Sequence, residues 1–184
     1  MPAAPPDRVA LVLVGHGAPA TDCPPELIGE LMGLEWRKGA GGPPSPELQR
    51  RAEALDGKIR NWPRHAGNDP YKRGLEQLAD LLRPLVPAEL FAIAYNEFCR
   101  PSLTEAVEAI IRQGATRILV IPSMLTPGGV HAERDIPQEL DGLRRRHPGV
   151  GMQYLWPFDL QQVAELFAAH VRAALGQRAA ITPG

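Results

Sequence analysis

The feature that most constrains the fold of this chain is an uninterrupted apolar run from Val9 to Val14, which Gly15 closes. A run without polar positions suits a strand that is buried on both faces, and such strands are typical of parallel sheets. Three later runs have a similar apolar or β-favouring character: Leu90 to Tyr95, Arg117 to Ile121, and Met152 to Trp156. The sequence therefore predicts a mainly parallel, four-stranded sheet.

Helical patterns follow these runs. Ser102 and Glu105 form a capping box that opens one helix, and Gly114 supplies its end. Ile136, Leu140 and Leu143 make the apolar stripe of a second helix. A third helix, capped by Asp159, is expected to bury an inner face made of Val163, Leu166, Phe167, His170 and Val171. This alternation predicts right-handed crossovers and a doubly wound α/β fold with helices on both sides of the sheet.

The segment 19–69 does not follow this alternation. Clusters of proline and glycine separate two short helical stretches there, and one stretch has a narrow apolar face formed by Leu48, Ala52, Leu55 and Ile59. A chain of 184 residues suits one domain with a sizeable core. We interpret residues 1–184 as a single α/β domain and residues 19–69 as a helical flap inserted within it.

Composition excludes several classes of partner. The formal net charge is −1, so no broad positive field is available for nucleic acid or for an anionic membrane. No apolar stretch approaches the length that spans a membrane. Cys23 and Cys99 belong to no C-x-x-C unit, and no secretory signal is evident, which favours reduced thiols in a cytoplasmic protein.

Three side chains that can bind metals or exchange protons follow predicted strands. His16 lies in Val14-Gly15-His16-Gly17, Glu97 follows the second strand, and His131 follows a glycine loop after the third. Ligands of doubly wound sheets bind beyond the carboxyl ends of the strands. We therefore expect His16, Glu97 and His131 to meet at one sheet edge, where two imidazoles and a carboxylate can hold a divalent metal or accept protons.

Each of these residues also has a simpler interpretation. His16 could be a loop histidine bonded to a nearby carbonyl, Glu97 could pair with Arg100, and His131 could cap a helix. His147, beside a proline, and His170, on the inner face of the last helix, are expected to be structural. His65 in the insertion is expected to be a surface residue, with a place in a flap over the cleft as the alternative.

Several residues near the same edge could contact a substrate. Arg100, Arg117 and Arg134 could pair bidentately with ligand carboxylates. The loop from Ser123 to His131, with Gly128 and Gly129, could approach a ligand closely. These glycine loops match neither nucleotide-binding pattern, so a nucleotide site is not expected.

The motifs resemble those of the class II tetrapyrrole chelatases, the sirohydrochlorin cobalto- and ferrochelatase family. The resemblance rests on three segments, around His16, from Tyr95 to Leu103, and from Pro127 to Pro137. It implies a flavodoxin-like chelatase half. It also implies that His16 and His131 hold a metal, with Glu97 as a further ligand or as a proton acceptor.

The implied reaction inserts Co²⁺ or Fe²⁺ into a tetrapyrrole such as sirohydrochlorin. The metal is then a substrate, and no organic cofactor is required. Family members with a single copy of the motifs usually pair as homodimers, so a homodimer is possible here. Two other functions stay open: a noncatalytic metal or tetrapyrrole carrier, and a non-haem iron dioxygenase of the extradiol type, since Gly15 to Pro19 also resembles a loop of those enzymes.

Overall fold

A computed structural model describes residues 7–39 and 44–179. Its sheet has four parallel strands in the spatial order β2-β1-β3-β4. The strands are β1 (Val9–Gly15), β2 (Leu90–Tyr95), β3 (Arg117–Pro122) and β4 (Gly151–Tyr154). The prediction of a doubly wound α/β fold is confirmed. The fourth strand begins and ends earlier than predicted, because its pairing with β3 covers only Gly151 to Tyr154.

The described part of the chain forms six α-helices. They are α1 (Pro25–Gly39), α2 (Pro46–Arg60), α3 (Pro70–Leu82), α4 (Leu103–Arg112), α5 (Ile136–Arg146) and α6 (Leu160–Ala179). A 3₁₀ turn, Arg83–Leu85, follows α3, and a π-helical turn, His131–Asp135, leads into α5. In residues 7–39 and 44–179, no helix is long and apolar enough to cross a membrane.

The two faces of β1 explain its lack of polar residues. Ala10, Val12 and Val14 pack into the main core, which α4 and α5 complete with their apolar stripes. Leu13 points to the other face, where it packs against Leu75 of α3. Helices therefore lie on both sides of the sheet, as the apolar run required.

The predicted signals of α4 are present in the structure. The Ser102 hydroxyl accepts a hydrogen bond from the Glu105 backbone N–H at 3.2 Å, and the Ser102 N–H donates to the Glu105 carboxylate at 2.9 Å. Gly114 has a φ of +94°, the left-handed conformation that ends helices. The stripe of α5 is fully buried, with Ile136, Leu140 and Leu143 at zero exposure.

The prediction that α6 buries an inner face is wrong. Only Val163 is buried, whereas Leu166, Phe167, His170 and Val171 are exposed. Apolar periodicity identifies a face that favours burial, but it carries no information about what covers that face. From Ala164 to Gly176, no residue of α6 is buried, so the described part of the chain does not cover this face.

The helices α1 and α2 form a small core of their own. Its buried residues include Leu31, Leu34, Ala52, Leu55 and Ile59. Three of the four residues in the predicted face of α2 are buried, and Leu48 lies half-buried beside them. The region 19–69 is thus largely helical, while its interpretation as an insertion within a single domain of residues 1–184 stays a prediction.

Candidate metal centre

The carboxyl edge of the sheet brings His16, Glu97 and His131 together. One ligand atom from each of the three side chains lies within 4.8 Å of the other two. The His131 Nε2 is 3.7 Å from a Glu97 carboxylate oxygen, and the two imidazole centroids are 4.7 Å apart. Residues far apart in sequence therefore share one site, although their role as metal ligands stays a prediction.

Backbone pairing fixes the loops that carry His16 and Glu97. The ladder between β1 and β2 continues past the strands, because the Asn96 N–H donates to the Gly15 carbonyl at 2.9 Å and the Glu97 N–H donates to the His16 carbonyl at 2.8 Å. At Gly17, which has a φ of +93°, a Cβ would lie 1.9 Å from the Glu97 carbonyl oxygen. Only glycine permits this approach of the two loops.

Two contacts orient His16. Its backbone N–H donates to the Tyr71 hydroxyl at 2.8 Å, and its ring Nδ1 lies 2.9 Å from the Gly17 carbonyl oxygen. A carbonyl only accepts, so Nδ1 carries the proton and donates to it. The simpler interpretation of His16 as a carbonyl-bonded loop histidine is therefore also realised. This bond leaves the Nε2 lone pair available to a metal.

The His131 ring is oriented by Asp135. The Nδ1 of His131 lies 2.8 Å from an Asp135 carboxylate oxygen, and the Asn96 side-chain amide lies 2.7 Å from the same nitrogen. The Asp135 carboxylate only accepts, so Nδ1 carries the proton and donates to it rather than accepting from the Asn96 amide, and the Nε2 lone pair is left facing Glu97. The sequence interpretation did not include Asp135 or Asn96 in the site, although the four-residue spacing of His131 and Asp135 on a helical turn could have indicated the pair.

A residue of β4 stabilises the π-helical turn that carries His131. Ala132 is fully buried, and the Tyr154 hydroxyl donates to its carbonyl at 2.8 Å. Burial raises the pKa of Tyr154 to about 12. The sequence predicted an ordinary helix entry here, and single π turns are often found at functional sites.

Replacing Asp135 by alanine is expected to weaken Co²⁺ binding by roughly 10- to 100-fold, because the imidazole of His131 loses the carboxylate that fixes its orientation. Titration calorimetry with Co²⁺ measures this change. Asp141→Ala is the matched control, since Asp141 is an exposed α5 carboxylate paired with Arg144. Equal affinities in the two variants would contradict the orienting role of Asp135.

Two arginines of the helical insertion brace the site loops. Arg60 donates to the Asn96 carbonyl at 2.7 Å and to the Cys99 carbonyl at 3.0 Å. Arg64 donates to the Ala18 carbonyl at 2.8 Å, to the Phe98 carbonyl, and to the carboxylate of Asp69. The insertion thus contacts both the loop after His16 and the loop of Glu97, which sequence reasoning did not reveal.

Three arginines were predicted to lie near the site, and two of them form ion pairs within the protein. Arg100 pairs with Glu105 at 2.5 Å, so the interpretation of Glu97 as the ion-pair partner of Arg100 is wrong. The reason is helix capping, which places Glu105 beside Arg100. Arg134 pairs with Asp135 at 3.0 Å and is largely exposed. Arg117 opens β3 and so lies at the opposite edge, which corrects its expected place near the site.

The candidate substrate loop lies at the carboxyl edge as expected. The Ser123 N–H donates to the Val14 carbonyl at 2.8 Å, which ties the loop to β1. Gly128 and Gly129 are exposed, and the Gly128 N–H donates to the Glu133 carboxylate at 2.6 Å. Substrate contact by these residues stays a prediction.

The other histidines lie elsewhere. His65 is exposed, and its Nδ1 accepts from the Gly67 N–H at 3.1 Å. His147 follows α5, and its Nε2 is buried without a hydrogen-bond partner in the described part of the chain. His170 is exposed on α6. Within residues 7–39 and 44–179, His16, Glu97 and His131 form the one group of three potential metal ligands.

Known proteins show similarity to this chain in both sequence and structure. The sequence profile of the CbiX family matches residues 67–174. A sirohydrochlorin cobaltochelatase from Sulfurisphaera tokodaii is 32% identical over 100 residues, which cover 54% of this chain and 78% of that protein. A sirohydrochlorin ferrochelatase from Priestia megaterium is 36% identical over 70 residues, covering 38% of this chain and 26% of that protein.

A solved structure has a related fold. It is described as a cobalamin (vitamin B12) biosynthesis CbiX protein from Marinobacter aquaeolei VT8, and it is 20% identical to this chain with a TM-score of 0.52. The alignment covers 92% of this chain and 98% of that one. By contrast, the chain spans only 26% to 53% of the length of three curated relatives from Priestia megaterium and Methanopyrus kandleri.

The fold and the site define an α/β protein whose parallel sheet presents two imidazoles and a carboxylate at its carboxyl edge. The family profile covers more than half of the 184 residues, and it includes Glu97 and His131. The chain belongs to the CbiX family of class II tetrapyrrole chelatases. The profile match begins after His16, so the case for His16 rests on its position beside the other two residues.

Proposed function

We propose that this protein inserts Co²⁺ or Fe²⁺ into sirohydrochlorin or a closely similar carboxylate-rich tetrapyrrole. The observation that carries the proposal is the convergence of His16, Glu97 and His131 within 4.8 Å. Relatives named as sirohydrochlorin cobaltochelatase and ferrochelatase support this substrate and both metals. The metal ion is a substrate of the reaction, and the proposed chemistry requires no organic cofactor.

Three protein ligands suit a metal that must be surrendered. A closed site with four protein ligands would hold the ion as part of the structure, whereas three leave coordination positions for the incoming macrocycle. Imidazole nitrogen suits divalent first-row metals such as iron. The side chains of His131 and Glu97 are 22% and 37% exposed, so both can be reached from solvent.

The reaction also releases protons. Two pyrrole N–H protons must leave the macrocycle as the metal enters, and the site must accept them. The Glu97 carboxylate lies beside the His131 Nε2 and is open to water, so it can take a proton and pass it to solvent. The Nδ1 protons of His16 and His131 are held by Gly17 and Asp135, which keeps each Nε2 free.

The rim offers groups for the carboxylates of the macrocycle. Arg100 and Arg134 have half or more of their side chains exposed beside the site loops. Each guanidinium has further N–H groups beyond those in its present ion pair, so it can also bind a substrate carboxylate. The exposed backbone of Gly128 and Gly129, with Ser123 nearby, completes the proposed substrate surface.

The experiment mixes purified protein with sirohydrochlorin and Co²⁺ or Fe²⁺ under anaerobic conditions and follows the absorbance change of the macrocycle. We expect a rate well above that of the reaction without protein. Tetrapyrrole or metal binding without acceleration would contradict the proposal and would favour a carrier.

Two histidines and one carboxylate also form the facial triad of non-haem iron oxygenases. Membership of the CbiX family favours metal insertion over that alternative. Oxygen consumption with Fe²⁺ and a catechol tests it directly, and we expect none above the background without protein.

A further inference from the structure

The ring nitrogen Nδ1 of His131 has two polar neighbours, of which only Asp135 has a role in the site so far. Asp135 accepts the Nδ1 proton at 2.8 Å, while the side-chain nitrogen of Asn96 lies 2.7 Å from the same atom. Two N–H groups repel each other at that distance, so the amide favours the opposite orientation, in which its oxygen faces Nδ1. A half-turn of the amide is sufficient, because its oxygen and nitrogen occupy nearly equivalent positions. Asn96 therefore offers His131 a second acceptor.

The backbone of Asn96 is held from two sides. Its N–H donates to the Gly15 carbonyl at the end of β1 at 2.9 Å, and its carbonyl accepts from the Arg60 guanidinium at 2.7 Å. Arg60 also pairs with Asp56 at 2.7 Å, and only 16% of its side chain is exposed. The backbone of Asn96 is thus fixed by β1 and by α2, and only two side-chain rotations separate it from the amide that faces His131.

The two neighbours of Nδ1 differ in charge. One oxygen of the Asp135 carboxylate faces His131, and the other pairs with Arg134 at 3.0 Å, which offsets part of the negative charge. A carboxylate behind a metal-binding imidazole orients the ring and strengthens its bond to the metal. An amide oxygen orients the ring without adding charge. Asn96 thus fixes the ring and leaves the metal bond weaker than a second carboxylate would make it.

We propose that Asn96 is a positioning residue that acts through His131: its uncharged acceptor fixes the imidazole ring and keeps the affinity for Co²⁺ low enough for release. The positioning role concerns metal binding alone. The role in release rests on the proposed function, because it requires that the metal is passed to a macrocycle. Binding an ion more tightly before the reaction does not speed its transfer, so a site that hands on a metal benefits from orientation without added charge.

Two substitutions of similar size separate orientation from charge. Asn96→Leu removes the acceptor, and the dissociation constant for Co²⁺ is expected to rise by roughly 10- to 100-fold, the usual effect of losing a residue that orients a metal ligand. Asn96→Asp keeps an acceptor and adds charge, so Co²⁺ is expected to bind more tightly than in wild type, by about 10-fold, the lower end of the same range. Titration calorimetry with Co²⁺ alone measures both constants.

Asn61→Leu is the matched control. Asn61 is exposed at the end of α2, where its side chain donates to the Gly57 carbonyl at 2.7 Å, so the Co²⁺ affinity should stay within about twofold of wild type. Wild-type affinity in Asn96→Leu would overturn the positioning role. So would an Asn96→Asp variant that binds Co²⁺ no more tightly than Asn96→Leu, because a residue needed only for folding would give equal losses in both variants.

Turnover tests the role of Asn96 in release. With sirohydrochlorin and Co²⁺, Asn96→Asp is expected to lower kcat and the KM for Co²⁺ together, the pattern of an enzyme whose ground state is bound more tightly. An unchanged kcat would overturn the claim that Asn96 keeps the affinity low for release. If the wild type does not insert the metal, the proposed function fails, while the order of Co²⁺ affinities among the variants still tests the positioning role of Asn96.

Discussion

Replacing His131 by alanine is expected to lower the rate of metal insertion by at least about 100-fold while the fold is retained. Loss of a residue that merely orients a metal ligand typically costs 10- to 100-fold, so loss of a ligand itself costs at least as much. The His131 Nε2 lies 3.7 Å from the Glu97 carboxylate, so its removal takes away one of the three proposed ligands. Initial rates with sirohydrochlorin and Co²⁺ measure the effect.

The matched control for this variant is His65→Ala. His65 is exposed in the insertion and belongs to no metal-binding group in the described residues, so its rate should stay within about twofold of wild type. Urea unfolding of both variants should give free energies within about 1 kcal/mol of the parent. A wild-type rate for His131→Ala would remove this residue from the proposed mechanism.

Sequence was sufficient for the parts of the fold that depend on local patterns. The apolar run at Val9 identified a doubly buried strand, and the capping box at Ser102 identified the start of α4. Both signals are short and involve neighbouring residues, so they can be read without knowing the tertiary structure. The parallel order of the strands then placed three side chains at one edge.

The features that sequence did not reveal depend on contacts between distant segments. Arg64, for example, donates hydrogen bonds to the carbonyls of Ala18 and Phe98, which lie in distant parts of the sequence. Every residue has a backbone carbonyl that could accept such a bond, so the sequence does not indicate which carbonyls do. Likewise, the apolar spacing around Phe167 predicted that this face of α6 is buried, whereas it is exposed. A periodic pattern does not distinguish a face that packs against its own chain from a face that packs against another molecule.

Arg64 is the most buried cation of the ion pairs in the described part of the chain. Its side chain is 11% exposed, and that of its partner Asp69 is 3% exposed. Asp69 also caps α3 by accepting from the Lys72 N–H at 2.9 Å, and it lies near the buried Cys99 thiol. Without the guanidinium, a buried carboxylate would lose its counter-charge, and the Ala18 and Phe98 carbonyls would each lose a donor.

Arg64→Ala is therefore expected to lower the free energy of unfolding by about 3 to 5 kcal/mol, the usual effect of removing one partner of a buried pair. Urea unfolding measures it. Arg51→Ala is the control, because Arg51 pairs with Glu30 in the same insertion but is 66% exposed, and about 1 kcal/mol or less is expected. Co²⁺ binding should weaken in Arg64→Ala but not in Arg51→Ala, since Arg64, unlike Arg51, donates to carbonyls of the loops that carry His16 and Glu97. A loss no larger than that of Arg51→Ala would mean that water replaces the guanidinium and that Arg64 does not brace the site.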